Sequence, residues 1–105
     1  KVIITETGWP SQGSSLRAAH PSYENALQYY INAQLWAKED DIEMFYFSAF
    51  DEPWKDAKNP GGSENHFGLI DRQNRAKRVL WTEHDAGALQ GLTRGGRPIV
   101  RSDTP

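Results

Sequence analysis

One stretch decides the fold: Val2-Ile3-Ile4-Thr5-Glu6-Thr7-Gly8-Trp9-Pro10. Its first half is apolar and rich in β-branched residues, which is typical of a buried parallel strand. The closing Gly, Trp and Pro break the strand into a turn, so one carboxylate, that of Glu6, stands at the strand tip. Because side chains alternate along a strand, Val2, Ile4 and Glu6 are predicted to share one face, and the acid continues an inward-facing row.

A second strand is predicted over residues 42–50, where aromatic residues dominate. It stops at Asp51-Glu52-Pro53, which leaves a second acid at a second strand tip. The intervening residues predict a helix with Ser22 as its N-cap and an end near residues 38–41. A stripe at helical spacing comprises Leu27, Tyr30, Ile31, Gln34 and Leu35. This strand–helix–strand order predicts an α/β fold with parallel strands, and it brings both acids to the sheet edge where ligands bind.

The rest of the chain has weaker patterns. Composition predicts a surface loop over residues 54–63, a short irregular strand over 67–70 and a short helix that opens at 79–81. Residues 82–105 are rich in Gly, Arg, Thr and Pro, which favours an extended tail. Two strands and one helix cannot bury both faces of a sheet, and such a pair has two unpaired edges. Because the chain also opens on Lys1 directly before a strand, we expect a piece of a longer protein, with a processed start as the alternative.

Composition narrows the functional classes. Of 105 residues, 37% are hydrophobic and 25% are charged, which favours a globular domain over a disordered chain. The net charge of -2 predicts no general attraction to nucleic acid or to an anionic membrane, and no apolar run is long enough to span a bilayer. Cysteine is absent and the three histidines lack metal-ligand spacing, so no metal site is predicted. The basic run over residues 72–78 lacks interleaved aromatic residues, which favours a solvated face over an RNA surface.

The two acids suggest sugar chemistry when they are considered together. Neighbouring strands lie about 4.8 Å apart, so Glu6 and Glu52 are predicted to be close. A carboxylate pair separated by about 5–5.5 Å is typical of a retaining glycosidase, so spacing alone nominates these acids as nucleophile and acid. The alternative is structural, because either acid can form a salt bridge, for example with Lys55.

Each acid is followed by an indole. Trp9 and Trp54 can stack on the C–H face of a pyranose ring, whereas the alternative for Trp9 is packing in a core. Lys55 and Glu64 flank the same rim. They can hydrogen-bond sugar hydroxyls, or they can be ordinary solvated charges.

Three motifs together resemble those of glycoside hydrolase family 17, in the same order and with plausible gaps. They are Thr5-Glu6-Thr7-Gly8-Trp9-Pro10-Ser11, Ala49-Phe50-Asp51-Glu52-Pro53-Trp54-Lys55 and Glu64-Asn65-His66-Phe67-Gly68-Leu69. The resemblance implies a microbial β-1,3-glucanase or β-1,3-glucanosyltransferase on a (β/α)8 TIM barrel. It covers residues 1 to about 81, which would be the last two βα units of that barrel, with residues 82–105 as an added tail.

The resemblance also implies a role for each matching residue. Glu6 corresponds to the catalytic nucleophile, and Glu52 corresponds to a residue that supports it rather than to the acid. The family's acid/base is a Glu that follows an Asn on an earlier strand, and no Asn-Glu pair occurs in this sequence. The residues implied to contact substrate are Trp9, Phe50, Glu52, Trp54, Lys55 and Glu64.

The same resemblance implies partners and a location. The substrate would be a β-glucan oligosaccharide or polysaccharide, and the remaining barrel strands would come from the same protein or from another chain. No cofactor is implied, and the location would be secreted, periplasmic or cell-wall associated. Two alternatives stay open: a non-catalytic carbohydrate-binding or assembly module, and an unrelated α/β fragment whose acids are structural.

Overall fold

A computed structural model describes residues 2–105, and its first half is a parallel pair of strands joined by one long helix. Strand β1 is Ile3–Thr7, helix α1 is Tyr23–Glu39 and strand β2 is Glu43–Tyr46. The strands pair in parallel, and the register sets Ile3 opposite Glu43 and Thr7 opposite Tyr46. The predicted strand–helix–strand order and the parallel pairing are confirmed.

Helix α1 begins and ends where the sequence predicts. The Ser22 side chain accepts a hydrogen bond of 2.9 Å from the backbone N–H of Asn25, which satisfies one of the free donors of the first turn. The predicted apolar stripe is only partly buried, however, since Leu35 is 59% exposed and Ile31 is 43% exposed. The helix contacts the sheet through Tyr29 and Tyr30 and packs on one 3₁₀ turn, Arg78–Leu80, and several of its apolar side chains stay exposed within residues 2–105.

Strand β1 is not the buried strand that its composition predicts. Val2 is 63% exposed and Ile3 is 48% exposed, because residues 2–105 supply packing on one side of the sheet only. The register also shifts between Ile4 and Thr7, and both of these residues line one cavity beneath α1. Side chains therefore do not alternate strictly along β1. The register does not support the prediction that Glu6 continues the inward-facing row of Ile4.

The second predicted strand, residues 42–50, is too long. Strand β2 ends at Tyr46, and the N–H of Phe47 makes the last bond to β1, 2.7 Å to the carbonyl of Thr7. Residues 48–51 then pair with residues 67–70, through bonds such as Asp51 N–H to the Ile70 carbonyl at 2.9 Å. The chain thus changes partner after Phe47, because β1 ends at Thr7 and offers no further backbone groups. Residues 67–70 form the irregular strand-like segment that the sequence predicts.

The buried core lies in the second half of the chain. Its cluster comprises Ile70, Ala76, Val79, Leu80 and Ile99, with Leu27, Tyr30, Phe50, Leu69 and Leu89 packed against it. The short helix predicted near residue 80 is present as α2, Trp81–Asp85. Strand β3, Arg75–Ala76, supplies the alanine at the centre of this cluster.

The segment after Trp81 contains more regular structure than an extended tail. Strands β4 (Thr93–Arg94) and β5 (Arg97–Pro98) form an antiparallel hairpin, and β6 (Val100–Arg101) pairs in parallel with β3. The hairpin turn is Gly95-Gly96, where φ is +59° and +75°, as a two-residue turn of this hand requires. Ile99, between β5 and β6, is buried in the core. The predicted division at residue 81 stays a prediction.

Candidate active site

Glu6 lies near the carboxyl end of β1, where its side chain is exposed and makes no hydrogen bond or ion pair within residues 2–105. The next residue is fixed: the Thr7 hydroxyl shares a short hydrogen bond with the Tyr29 hydroxyl of α1. The strand end is therefore anchored to the helix while the carboxylate stays open to a ligand.

Trp9 is half-buried and is held in a definite orientation. Its indole N–H donates to the carbonyl of His20 at 3.1 Å, and its ring lies 5.4 Å from that of Tyr29. It also borders a cavity of about 280 Å³ whose lining includes Phe67 and Glu64. The structure thus brings two of the predicted site residues, Trp9 and Glu64, to one mostly apolar groove.

The residues that follow the second strand have very different surroundings. Glu52 has one carboxylate oxygen, Oε1, that is buried and has no hydrogen-bond partner in residues 2–105. Trp54 is 63% exposed. The Lys55 ammonium lies 5.2 Å from the ring centroid of Phe47, within the range of a cation–π contact. Lys55 forms no salt bridge with either candidate acid in the described part of the chain, so that structural alternative is not found.

Phe50 is half-buried and takes part in packing. It contacts the buried core cluster, and the guanidinium carbon of Arg94 lies 4.2 Å from its ring centroid. One face of this ring is thereby covered by the hairpin that follows α2.

The loop that carries Trp54, Lys55 and Glu64 is held by a buried amide that sequence reasoning missed. Asn65 is 3% exposed, and its Oδ1 accepts the N–H of Asp56 at 2.8 Å. Its Nδ2 donates to the carbonyls of Asp56 and Asn59, each at 2.9 Å. Since a surface loop has little apolar packing of its own, these bonds set its shape.

A buried ion pair beneath the site was also missed. Lys77 belongs to the basic run predicted to be a solvated face, yet it is only 3% exposed, so that prediction is wrong for this residue. Its ammonium lies 2.7 Å from Asp51 Oδ1 and donates to Ser11 Oγ at 2.8 Å. Burial lowers the pKa of Lys77 below its ordinary value of 10.5, and the Asp51 carboxylate opposes that shift. The available signal was its position between Ala76 and Val79, both of which are core residues.

Two kinds of feature are absent from the described residues. No group of three or more His, Asp or Glu side chains within residues 2–105 is arranged to hold a metal ion. Over the same residues, no helix is both long enough and apolar enough to cross a membrane.

Comparison with known families shows which family the chain belongs to. Residues 1–68 match the family model described as the BtgE/BtgC glycoside hydrolase domain. That stretch is more than half of the chain, and it contains every predicted site residue from Glu6 to Glu64. The chain belongs to this glycoside hydrolase family.

Curated relatives of this BtgE/BtgC family chain are named as glucan glucosidases. Glucan endo-1,3-beta-glucosidase A of Solanum lycopersicum is 39% identical over 91 residues, which cover 76% of this chain and 24% of the relative. Glucan 1,3-beta-glucosidase of Saccharomyces cerevisiae is 31% identical over 80 residues, which cover 73% and 25% respectively. The chain therefore spans about a quarter of the length of the curated relatives it matches.

Solved structures confirm the resemblance to glycoside hydrolase family 17. An endo-laminarinase from Formosa Hel1_33_131 superposes with a TM-score of 0.83 at 46% identity, over 92% of this chain and 26% of that enzyme. A glycoside hydrolase family 17 β-1,3-glucanosyltransferase from Rhizomucor miehei superposes with a TM-score of 0.64 at 38% identity, over 72% of this chain and 27% of its own. Because 92% of the chain is more than residues 1–81 provide, the likeness to the laminarinase extends into the segment after Trp81.

Proposed function

We propose that this chain is the carboxyl-terminal part of a retaining glycoside hydrolase that acts on β-1,3-linked glucan, with Glu6 as its nucleophile. The observation that carries the proposal is the position of Glu6: its carboxylate is exposed, has no partner within residues 2–105, and lies near the carboxyl end of a parallel strand, inside a stretch that matches a glycoside hydrolase family. The carboxyl ends of the strands are where enzymes built on parallel α/β barrels hold their catalytic residues.

In this reaction the Glu6 carboxylate attacks the anomeric carbon while the glycosidic C–O bond breaks. A second carboxylic acid protonates the leaving oxygen and later removes a proton from the acceptor. If the acceptor is water, the glucan is hydrolysed; if it is the hydroxyl of another glucan, the chain is transferred. Relatives carry names of both types, glucan glucosidase and glucanosyltransferase.

The residues that follow the two strands are the proposed sugar contacts. Trp9 and Trp54 offer aromatic faces or edges, and Glu52 is half-buried and carries a carboxylate that can accept a hydrogen bond from a sugar hydroxyl. Lys55 and Glu64 are exposed and can hydrogen-bond sugar hydroxyls as well. Phe50 is also a proposed sugar contact: it is half-buried, and its ring packs against the core and so holds the segment that carries Glu52.

The chain lacks an Asn-Glu pair, so the acid/base of the family comes from elsewhere. Residues 1–81 are then the last two βα units of a (β/α)8 barrel, and the other strands come from the same protein or from another chain. They cover the exposed side of β1 and α1. Alone, the chain holds the nucleophile and does not cleave glucan. From the family resemblance, the proposed location is secreted, periplasmic or cell-wall associated.

A mechanism-based inhibitor tests the proposal in the longer protein that contains this chain. A 2-deoxy-2-fluoro laminaribiosyl fluoride forms the glycosyl-enzyme and slows its hydrolysis, because the fluorine destabilises the positively charged transition state of both steps. We expect the covalent mass in the peptide that contains Glu6. Glu6→Gln should remove both the label and the turnover of laminari-oligosaccharides, while oligosaccharide binding is retained.

Glu39→Gln is the matched control, because Glu39 is an exposed acid at the far end of α1. It should leave labelling and turnover unchanged. A label on any other carboxylate, or normal turnover by Glu6→Gln, would contradict the assignment. Binding without any turnover in the wild-type protein would favour a non-catalytic carbohydrate-binding module.

A further inference from the structure

The ammonium group of Lys77 joins three separate segments of the chain. It donates to Ser11 Oγ at 2.8 Å, lies 2.7 Å from Asp51 Oδ1, and reaches the carbonyl of His66 at 3.5 Å. A lysine ammonium has three N–H donors, so each of its donors has an oxygen acceptor from a different segment.

The same acceptors are tied to the backbone around them. Asp51 Oδ1 also accepts the backbone N–H of Gly68 at 2.8 Å, and the backbone N–H of Ser11 donates to the His66 carbonyl at 2.9 Å. Lys77 and its two side-chain partners are each no more than 5% exposed. Water therefore competes little for these bonds, and their geometry is well defined.

The location of this network relates it to the proposed chemistry. Ser11 lies in the turn that follows β1 and contains Trp9, and Asp51 directly precedes Glu52. After Phe47 the second strand has left β1, so backbone pairing no longer joins these two segments. The Lys77 network supplies a direct link between them beyond the end of the β1–β2 ladder.

We infer that Lys77 is a positioning residue, whose ammonium clamps the turn after β1 to the segment that carries Glu52 and so sets the separation between Glu6 and Glu52. This inference rests on the proposed function. Lys77 itself touches no substrate, because it is enclosed by the protein. A residue with only a stabilising role would affect the amount of folded protein, whereas a positioning residue also affects the rate of the folded protein.

Two variants weaken the Lys77 network to different extents. Lys77→Met keeps the aliphatic length and removes all three donors, and Ser11→Ala removes one acceptor while it keeps the ion pair. Lys58→Met is the matched control, since Lys58 is an exposed lysine in the loop over residues 54–63. In the longer protein, kcat and KM for laminari-oligosaccharides are measured per folded molecule, with the folded fraction taken from near-ultraviolet circular dichroism.

We expect kcat to fall by about 100-fold in Lys77→Met and by about tenfold in Ser11→Ala, with KM changed by less than about threefold, because small displacements of catalytic groups act mainly on the chemical step. In the 105-residue chain, hydrogen exchange of the Ser11 and Gly68 amides should become faster in Lys77→Met. Lys58→Met should match the wild type in both measurements.

The outcomes separate the clamp from the proposed function. Unchanged amide exchange in Lys77→Met would overturn the clamp, and faster exchange with unchanged kcat per folded molecule would overturn its role in positioning. If Glu6→Gln kept full activity, the proposed nucleophile would fail, yet the exchange measurement would still decide whether Lys77 holds the two segments together.

Discussion

Gly8 lies so close to Phe47 that a Cβ atom on residue 8 would come within 1.9 Å of the Phe47 carbonyl oxygen. This contact occurs where the second strand makes its last bond to β1 and changes partner. The glycine after Thr7 therefore does more than end a strand. It allows the two backbones to approach at the edge of the sheet where the candidate site lies.

Replacement of this glycine should be severely destabilising. We expect Gly8→Ala to lower the free energy of unfolding by about 3 kcal/mol, because the new methyl group overlaps a backbone atom that cannot move without breaking the strand pairing. Urea unfolding of the 105-residue chain measures the change. Gly61→Ala is the control, since a Cβ at Gly61 meets nothing within 4 Å, and it should change stability by less than about 0.5 kcal/mol.

The N-cap of α1 gives a second prediction. Ser22→Ala should lower the free energy of unfolding by about 1 kcal/mol, because the backbone N–H of Asn25 loses the 2.9 Å bond to the serine oxygen. Ser22→Asp restores an acceptor and should recover most of that loss. Equal unfolding midpoints for the alanine and aspartate variants would show that this cap does not stabilise the helix.

The segment after Trp81 should contribute measurably to the stability of the chain. Ile99 is 8% exposed and its neighbour Val100 is 47% exposed. We expect Ile99→Ala to cost about 2–4 kcal/mol, because it leaves a cavity in the core, whereas Val100→Ala should cost less than about 1 kcal/mol. Thermal and urea unfolding compare the two. Similar small losses in both variants would mean that residues 82–105 are not part of the folded core.

The raised pKa of Tyr46 predicts that the folded chain loses stability at alkaline pH. Burial raises the pKa of its phenol above the ordinary value of 10.0, with smaller contributions from Tyr29 and Tyr30. The folded chain therefore keeps a proton that the unfolded chain releases, so this contribution is complete below pH 10.0 and is lost as the pH rises further. The pKa of Lys77 is lowered, so below pH 10.5 this residue makes the folded chain more stable as the pH rises. A variant is therefore needed to isolate the contribution of Tyr46.

Tyr46→Phe isolates the tyrosine because it keeps the ring and removes the titrating hydroxyl. We expect the free energy of unfolding to fall less steeply between about pH 10 and 11 in this variant than in the wild type. Urea unfolding at a series of pH values gives both slopes. Parallel slopes would show that the Tyr46 phenol does not contribute to the alkaline loss.

Lys77 and Asp51, the buried ion pair, should show strong energetic coupling in a double-mutant comparison. Lys77→Met leaves the Asp51 carboxylate buried without its counter-charge, and loss of one partner of such a pair costs about 3–5 kcal/mol. Asp51→Asn added to Lys77→Met removes that charge and keeps an acceptor for the Gly68 N–H, so part of the loss should return. Additive effects of the two substitutions in urea unfolding would argue against direct coupling.

Much of the candidate site follows from sequence, since its residues are concentrated in three short motifs. The structure adds that Trp9 and Glu64 share a groove, which their separation in sequence does not indicate. It also shows Asp51, Asn65 and Lys77 as buried polar residues. Lys77 in particular lies in a run of polar and basic residues, and a basic residue is predicted to be solvated unless its partner is known.

The sequence by itself determined the strand–helix–strand order, the ends of α1 and membership of the glycoside hydrolase family, because periodicity, capping residues and motifs are local properties of the chain. Only the tertiary structure decided three other features. These are the change of strand partner after Phe47, the burial of Lys77 against Asp51, and the return of Ile99 into the core. Each depends on which distant segment lies alongside, and that choice is made by packing and hydrogen bonding between residues far apart in sequence.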